Sequence, residues 1–426
     1  MTYPDTYYRR TLADAVERPA VSGSVDCDTV IIGGGLAGLT TALQLARAGH
    51  RVIVLEASSV GFGASGRNGG FVSPGFATGN DAIARAAGRD AARKLHLLSI
   101  EGVDFIRDTI RDLSISEARP QAGIMSVTRY DDGTNLKAHA ENMRREYGYQ
   151  LEFLGIDAVR NRLKSNRYFQ ALRDPIAFHM HPLNYLRALA TEIERLGGHI
   201  YENSPALRCT LAGAQKLVSC RGGQVSARQV VFTTGGYTSS LVGKLDRSYL
   251  PIATYVMLTE EAPDLIREAI VTRDAVGDNR RAGDYYRLVE NGKRILWGGR
   301  ITTRAASPAA LAGELHREMT TTYPQLKDLK TELAWSGLMS YARHLMPQIG
   351  EMQPGVWHCT AFGGHGLNTT AIGGKVVAEG ILGQSDRYKL FKPFGLVWAG
   401  GVAGLVTAQL TYWKLQAQDR WRERAA

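Results

Sequence analysis

Aliphatic and β-branched residues bunch into short runs along this chain, and the runs alternate with stretches whose apolar residues recur every three or four positions. The clearest case is Asp28 to Glu56, DTVIIGGGLAGLTTALQLARAGHRVIVLE, which predicts a strand, a glycine turn, a helix and a second strand in unbroken order. Asp81 to Leu113 has helical periodicity, and Gln121 to Tyr130 reads as a strand. LNYLRALATEIERLGG, residues 183–198, is an amphipathic helix preceded by Pro182 and closed by Gly197 and Gly198. Gln229 to Phe232 is another strand-like run, leading into Thr233-Thr234-Gly235-Gly236. Residues 250–345 are strand-rich, with PIATYVMLTEE, YYRLV and RILWGGR bounded by turn residues. A last strand, glycine turn and helix follow in HCTAFGGHGLNTTAIGGKVVAEGIL, residues 358–382. A strand followed by a glycine turn thus occurs three times, and three such turns aimed at one ligand need a ligand longer than one phosphate group.

The first turn carries Gly33-x-Gly35-x-x-Gly38. Its glycines serve a tight turn, close approach of backbone to a pyrophosphate, and close packing of helix on strand, while the helix N-terminus offers free N–H groups to the anion. Glu56 ends the second strand 18 residues after Gly38, where a carboxylate accepts hydrogen bonds from ribose hydroxyls and repels a 2′-phosphate. Strand, helix, second strand and acid together indicate an adenine dinucleotide; FAD and NAD share the fingerprint. Shortly after it, GFGASGRNGG at 61–70 is a loop able to wrap a flat or phosphorylated ligand, with Arg67 and Asn68 as donors, although an ordinary glycine loop reads the same way.

Composition changes this picture little. A chain of 426 residues exceeds one usual hydrophobic core, so two domains or one with a large insertion are expected. The net charge of +10 comes from Lys and Arg spread along the chain, with no basic run interleaved with aromatics, so no nucleic-acid partner is expected. Cys27, Cys209, Cys220 and Cys359 lack metal-ligand spacing and read as reduced thiols, and the N-terminal sequence lacks a secretory apolar core; together these imply a cytoplasmic protein without a metal site. Leu396 to Trp413 is 18 residues without a charge, followed by Lys414, Arg420, Arg422 and Arg424. Its glycines, threonines and Gln409 favour a docked or amphipathic helix over a membrane span, leaving peripheral contact with the inner membrane face as an option.

In these motifs the chain resembles the FAD-dependent amine and amino-acid oxidoreductases related to D-amino acid oxidase and sarcosine oxidase. The resemblance covers nearly the whole length and rests on GGGLAGL with Glu56, GASGRNGG, the TTGG turn, WGGR at 297–300, MPQIG at 346–350 and GGHGL before the last core helix. YYRR near the N-terminus, HPLN at 181–184, DYYRL at 284–288 and TYPQLKDLK at 322–330 liken it further to the γ-glutamylputrescine oxidase branch. The resemblance implies an α/β protein with α+β insertions: a Rossmann-like FAD-binding domain (26–80, 150–245 and 345–385), a mostly antiparallel substrate domain (81–149 and 246–344) and a helical segment at 386–426. It implies that Gly33, Gly35, Leu36, Ala37, Gly38, Glu56 and Ala57 hold the ADP half of FAD. Gly63, Ala64, Ser65, Arg67, Asn68, Gly69 and Gly70 would line the pyrophosphate and flavin side, with Ala206, Thr234 and Gly235 beside them. Gly363, Gly364, His365, Gly366, Leu367, Asn368 and Thr369 would face the isoalloxazine, where a helix N-terminus favours negative charge on the reduced ring.

Two departures narrow this reading. Relatives of D-amino acid oxidase clamp the substrate α-carboxylate with an arginine in the region of Trp335 to Ser340, which here has none. An amine whose reacting carbon lacks a carboxylate, such as a γ-glutamylated diamine, fits better. Sarcosine oxidase relatives tether the flavin through a cysteine, and Trp335 to Gly350 contains none, so FAD is expected to be non-covalent. The implied reaction passes a hydride from the carbon beside the amine to flavin N5, and water hydrolyses the resulting imine. Tyr285, Trp297, Trp335 and His365 are the candidates to act on the substrate, with Tyr286 and Phe362 as further lining; for each aromatic, simple packing in a strand is the competing explanation. His179 and His181 read as structural. Dioxygen or a quinone would take the electrons. Two alternatives stay open: an amino-acid or N-methylamino-acid dehydrogenase feeding a quinone, and a non-catalytic FAD-binding electron-transfer subunit.

Overall fold

A computed structural model describes residues 2–237, 241–281, 283–303 and 307–424. Strand Gly23–Ile32 delivers the chain to Gly33, helix Leu36–Arg47 follows, and the all-buried VIVL of Val52–Leu55 returns beside the first strand. The helix packs this closely because Gly38 has no side chain: a Cβ there would stand 2.1 Å from the Gly33 carbonyl oxygen. Gly33 itself has φ +115°, a backbone state that side chains rarely adopt.

Five parallel strands form the centre of an eight-stranded sheet, in the order Val356–Thr360, Gly223–Phe232, Gly23–Ile32, Val52–Leu55 and His199–Tyr201. Gln348–Gln353 extends one edge antiparallel, and the hairpin of Ala206–Thr210 and Lys216–Cys220 continues from Gly223–Phe232. Ile32 is level with both Leu55 and Phe232, so Gly33, Glu56 and Thr233 leave the sheet at the same height. That carboxyl edge is where ligands bind in such sheets. Helices Leu36–Arg47, Arg89–Asp112, Pro182–Arg195 and Leu367–Ile381 share one apolar core against it.

The second sheet has nine strands, mostly antiparallel: Thr331–Ala342, Tyr249–Thr259, Arg294–Thr302, Tyr285–Val289, Ala275–Asp278, Gln121–Val127, Ala171–His179 and Phe71–Val72, with Glu152–Leu154 paired to Ala171–His179. Its core is aromatic. Trp297 stacks on Tyr286 at 4.2 Å and 3°, and the Tyr286 hydroxyl meets that of Tyr323 at 2.6 Å.

Three segments sit differently from the division drawn on the sequence. Phe71–Val72 and the strands within 150–180 hydrogen-bond in the second sheet, while helix Arg89–Asp112 packs in the core of the first. The reason is long-range pairing: Ala171–His179 finds its antiparallel partner in Gln121–Val127, a contact that local periodicity does not encode. The helical stretch 81–113 is divided at Gly88, φ +89°, into Asn80–Ala87 and Arg89–Asp112. Among the described residues all four cysteines are free, and no helix is long and apolar enough to cross a membrane.

His179 ends strand Ala171–His179, and His181 precedes helix Pro182–Arg195. The His181 Nδ1 accepts the Asn184 N–H at 3.1 Å, capping helix Pro182–Arg195, and its Nε2 lies 3.0 Å from Thr11 Oγ1. The Thr11 hydroxyl donates to the Tyr7 carbonyl, so Nε2–H of a neutral imidazole is the donor to Thr11. Burial, then the nearby Arg287 charge, pushes both imidazoles down to about 3. A depressed histidine pKa stabilises the fold fully above the unfolded value near 6.5, and this contribution is lost as pH falls from there towards 3. Resistance to urea should therefore fall between pH 7 and pH 5. His181→Asn keeps an N-cap acceptor but takes up no proton, and should flatten that slope by up to about 1.4 kcal/mol per pH unit; equal slopes would refute the assignment.

Candidate active site

A cavity of about 580 Å³ opens at the carboxyl edge of the parallel strands and runs between the two sheets. At the first-sheet end the half-buried Glu56 carboxylate accepts from the Gly34 N–H at 2.7 Å and the Ser58 N–H at 2.8 Å. Burial pushes this carboxyl above its usual range, and the two backbone donors pull it back. Each oxygen keeps a second lone pair for a hydroxyl. Gly33, Gly35, Leu36, Ala37 and Ala57 line the same end, while Gly38 lies behind it and acts through packing. Ser65 Oγ accepts the Leu36 N–H at 3.0 Å, placing the 61–70 loop directly over the helix N-terminus, whose first turn has no acid.

Arg67 is the unusual group. It is 7% exposed, its guanidinium lies 4.9 Å from the Phe62 ring centroid, and Nη2 donates to the Tyr237 hydroxyl. It has no carboxylate partner among the described residues. A buried cation without a counter-charge is costly, so a cavity built around one fits an anionic ligand. Gly63, Ala64, Gly69, Ala206, Thr234 and Gly235 line the cavity around it. Asn68 also borders it, but its amide is engaged within the loop, donating to the Ala64 and Ser65 carbonyls and accepting from Gly70 N–H. Gly70 is set back against Met180.

At the other end, Gly363, Gly364, His365 and Gly366 precede helix Leu367–Ile381, a second N-terminus without an acid in its first turn. Leu367 and Asn368 line the cavity, and the Asn368 amide donates to the Ser99 carbonyl. Thr369 does not reach it, its hydroxyl donating to the His365 carbonyl. His365 Nε2 lies 3.1 Å from the Pro74 carbonyl and so carries the proton, leaving Nδ1 as acceptor. Burial lowers the His365 pKa and keeps the ring neutral. Tyr285 enters from the second sheet, its ring lodged where a Cβ on Gly298 would overlap it at 2.2 Å.

Two of the four proposed substrate-facing residues are elsewhere. Trp297 is fully buried in the second-sheet core. Trp335 is 1% exposed behind the 61–70 loop, where its indole N–H donates to the Arg67 carbonyl at 3.0 Å and fixes that residue from outside the cavity. Tyr286, adjacent to Tyr285, likewise faces the core. In their place the second sheet and the C-terminal helix contribute Thr254, Arg281, Arg300, Met339, Tyr341 and Tyr412, none of which the sequence singled out. Tyr237, two residues after the Thr234-Gly235 turn, carried a usable signal in its spacing; the others depend on tertiary contact.

The cradle fits a flavin adenine dinucleotide: a ribose-seeking carboxylate, a lone buried guanidinium, and two acid-free helix N-termini border one continuous cavity. Comparison with known proteins agrees. Residues 28–380 match the family described as DAO, FAD dependent oxidoreductase. γ-Glutamylputrescine oxidoreductase of Escherichia coli (strain K12) is 32% identical over 391 residues, 91% of each chain. The probable oxidoreductase OrdL of Haemophilus influenzae is 30% identical over 91% of this chain and 90% of its own. Among solved structures, glycine oxidase from Geobacillus kaustophilus superposes with a TM-score of 0.72 at 18% identity, covering 88% of this chain and 99% of that one, which supports the fold. With a family match over most of its length, the chain belongs to the FAD-dependent oxidoreductase family and is an enzyme that uses FAD.

Proposed function

We propose that the protein oxidises the C–N bond of an amine whose reacting carbon lacks a carboxylate and whose far end carries one, a γ-glutamylated diamine or a near relative. The observation that carries this reading is the distribution of cations along the cavity. Strand Thr331–Ala342 runs past it without an arginine, and Arg343 is exposed outside it. His344 is turned to the Gly395 carbonyl. On the second-sheet side two arginines line the wall, and Arg300 is neutralised by Asp284 and Glu318. Arg281 lines the cavity with no carboxylate partner among the described residues. It is a free site for a distant substrate carboxylate. Sequence identity to a γ-glutamylputrescine oxidoreductase supports the same class.

Bound FAD supplies the two-electron acceptor. The protein's own part is to hold a neutral amine against it and keep water out. Tyr285, Tyr341 and Tyr412 form an aromatic wall suited to an aliphatic amine. His365, kept neutral, adds no charge to this wall. The acid-free N-terminus of helix Leu367–Ile381 supplies positive potential at this end of the cavity.

Anaerobic mixing of the yellow holoenzyme with γ-glutamylputrescine should bleach it, and sarcosine and free D- or L-amino acids should not. Bleaching by amino acids alone would overturn the substrate class, and bleaching by nothing in this panel would favour an electron-transfer subunit. Readmitting air or a short-chain quinone then identifies the acceptor by the rate at which colour returns. Arg281→Met should raise KM for the γ-glutamylated amine about 10- to 100-fold, with little effect on kcat and on plain putrescine.

The flavin is held without a covalent bond in this reading. Cys359 borders the cavity, but burial pushes its thiol far up, so it stays protonated and a poor nucleophile. Acid precipitation should leave all the yellow colour in the supernatant; colour in the pellet that Cys359→Ser abolishes would show a tether. Arg67→Met should weaken FAD binding to the apoprotein about 10- to 100-fold, measured by fluorescence titration; unchanged affinity would remove Arg67 from the cofactor site.

A further inference from the structure

Helix Gly401–Arg424 turns one side to the protein and another to solvent. Inward, Tyr412 borders the cavity, Gln409 accepts from the Thr303 backbone N–H at 3.1 Å, and Glu423 approaches Arg280 and Arg167, each at 3.7 Å. Outward, Val402, Val406, Leu410, Trp413 and Trp421 are all more than half exposed, Val402 at 79% and Trp421 at 72%. Their spacing of three or four residues, with Ala417 filling the last gap, sets them in one stripe about 100° wide. Trp398, 64% exposed, lies just before the helix. An unbroken apolar row of this kind has a function in a water-soluble fold.

The surrounding charge selects what covers it. Lys414 and Arg420 flank the stripe on its two sides by helical spacing, and Arg422 follows; all three are exposed. The helix holds two acids, Asp419 and Glu423, and both face inward against the protein. An apolar stripe with tryptophans and a purely cationic border, on a chain of net charge +10, matches the interface of an anionic bilayer, where acyl chains take the apolar row and phosphates take the cations. A second copy of this chain would instead oppose the same cations to each other with no acid between them.

We propose that the outer face of helix 401–424 seats the enzyme on an anionic lipid surface. The helix keeps its inner contacts, so the wall containing Tyr412 is the part of the cavity closest to the bilayer. This inference stands on the helix alone and is independent of which amine is oxidised.

Full-length holoenzyme is mixed with vesicles of phosphatidylglycerol and phosphatidylcholine, and with phosphatidylcholine alone, and floated on a gradient. It should float with the anionic vesicles, with a blue shift of tryptophan emission, and high salt should weaken the association. Val406→Glu with Leu410→Glu should reduce binding at least about tenfold, and Lys414→Gln with Arg420→Gln by about tenfold or more. Both variants should keep wild-type FAD content and circular dichroism, which separates lost docking from lost folding. Absence from the anionic vesicles, or equal binding to neutral ones, overturns the proposal. So does a concentration-dependent dimer, seen by sedimentation, that Leu410→Glu dissociates without any vesicle binding.

Discussion

Burying a guanidinium without a counter-charge is among the costlier things a fold can do, and the site is organised around such a group. Arg67 is held from every side except the cavity. Its carbonyl accepts from the Trp335 indole, its planar head rests on Phe62, and one nitrogen donates to Tyr237. Those contacts come from the second sheet, from the loop itself and from the turn after strand Gly223–Phe232, so both layers converge on one residue. Arg287 shows how the molecule treats a buried arginine meant to be structural. Its donors go to the Gly69 and Met180 carbonyls and to the Tyr8 hydroxyl, and its task is to lock the 61–70 loop onto the second sheet. Arg67 has fewer acceptors, the Tyr237 hydroxyl and, at 3.5 Å, the Gly63 carbonyl, and it lines the cavity.

A second group of arginines follows a third pattern. Arg129, Arg280 and Arg300 cluster with Asp278, Asp284 and Glu318, where opposite charges are interleaved so closely that no cation is left over. Arg280 and Arg281 are consecutive yet belong to different regimes: the first is enclosed by carboxylates, the second borders the cavity without one. The side of the hairpin on which a guanidinium falls therefore decides whether it meets carboxylates or the cavity.

That dependence explains what the sequence could and could not convey. The dinucleotide cradle was legible because its elements are local: fingerprint glycines, Glu56 and Ser65 lie within a short stretch, and their chemistry follows from backbone geometry. The second sheet was legible as strands, but its faces were not. Tyr285 and Tyr286 are neighbours, and strand alternation sends the first to the cavity and the second onto Trp297 in the core. A shift of one residue exchanges them, and nothing in YYRLV fixes which is which. Trp335 was misread for the same reason, since its strand borders the cavity only from Gly337 onward. Arg281, Tyr341 and Tyr412 reach the site from separate elements, and only the pairing of those elements brings them together.

The C-terminal helix ties these threads together physically. Arg300 occupies a bulge, where the register between Tyr249–Thr259 and Arg294–Thr302 slips, and it has φ +60°, an uncommon state for a side-chain-bearing residue. That conformation turns its guanidinium towards Asp284 and Glu318, next to the polar recess that Glu423 and Asp419 close from the helix. The helix is thus clamped by charge on its inner side, next to where Tyr412 completes the cavity wall. Because its two acids are engaged in that clamp, none remains for the outer face, and the stripe of Val402, Val406, Leu410, Trp413 and Trp421 keeps a cationic border. One set of ion pairs therefore both shapes the Tyr412 end of the cavity and leaves the opposite face of the helix without an acid.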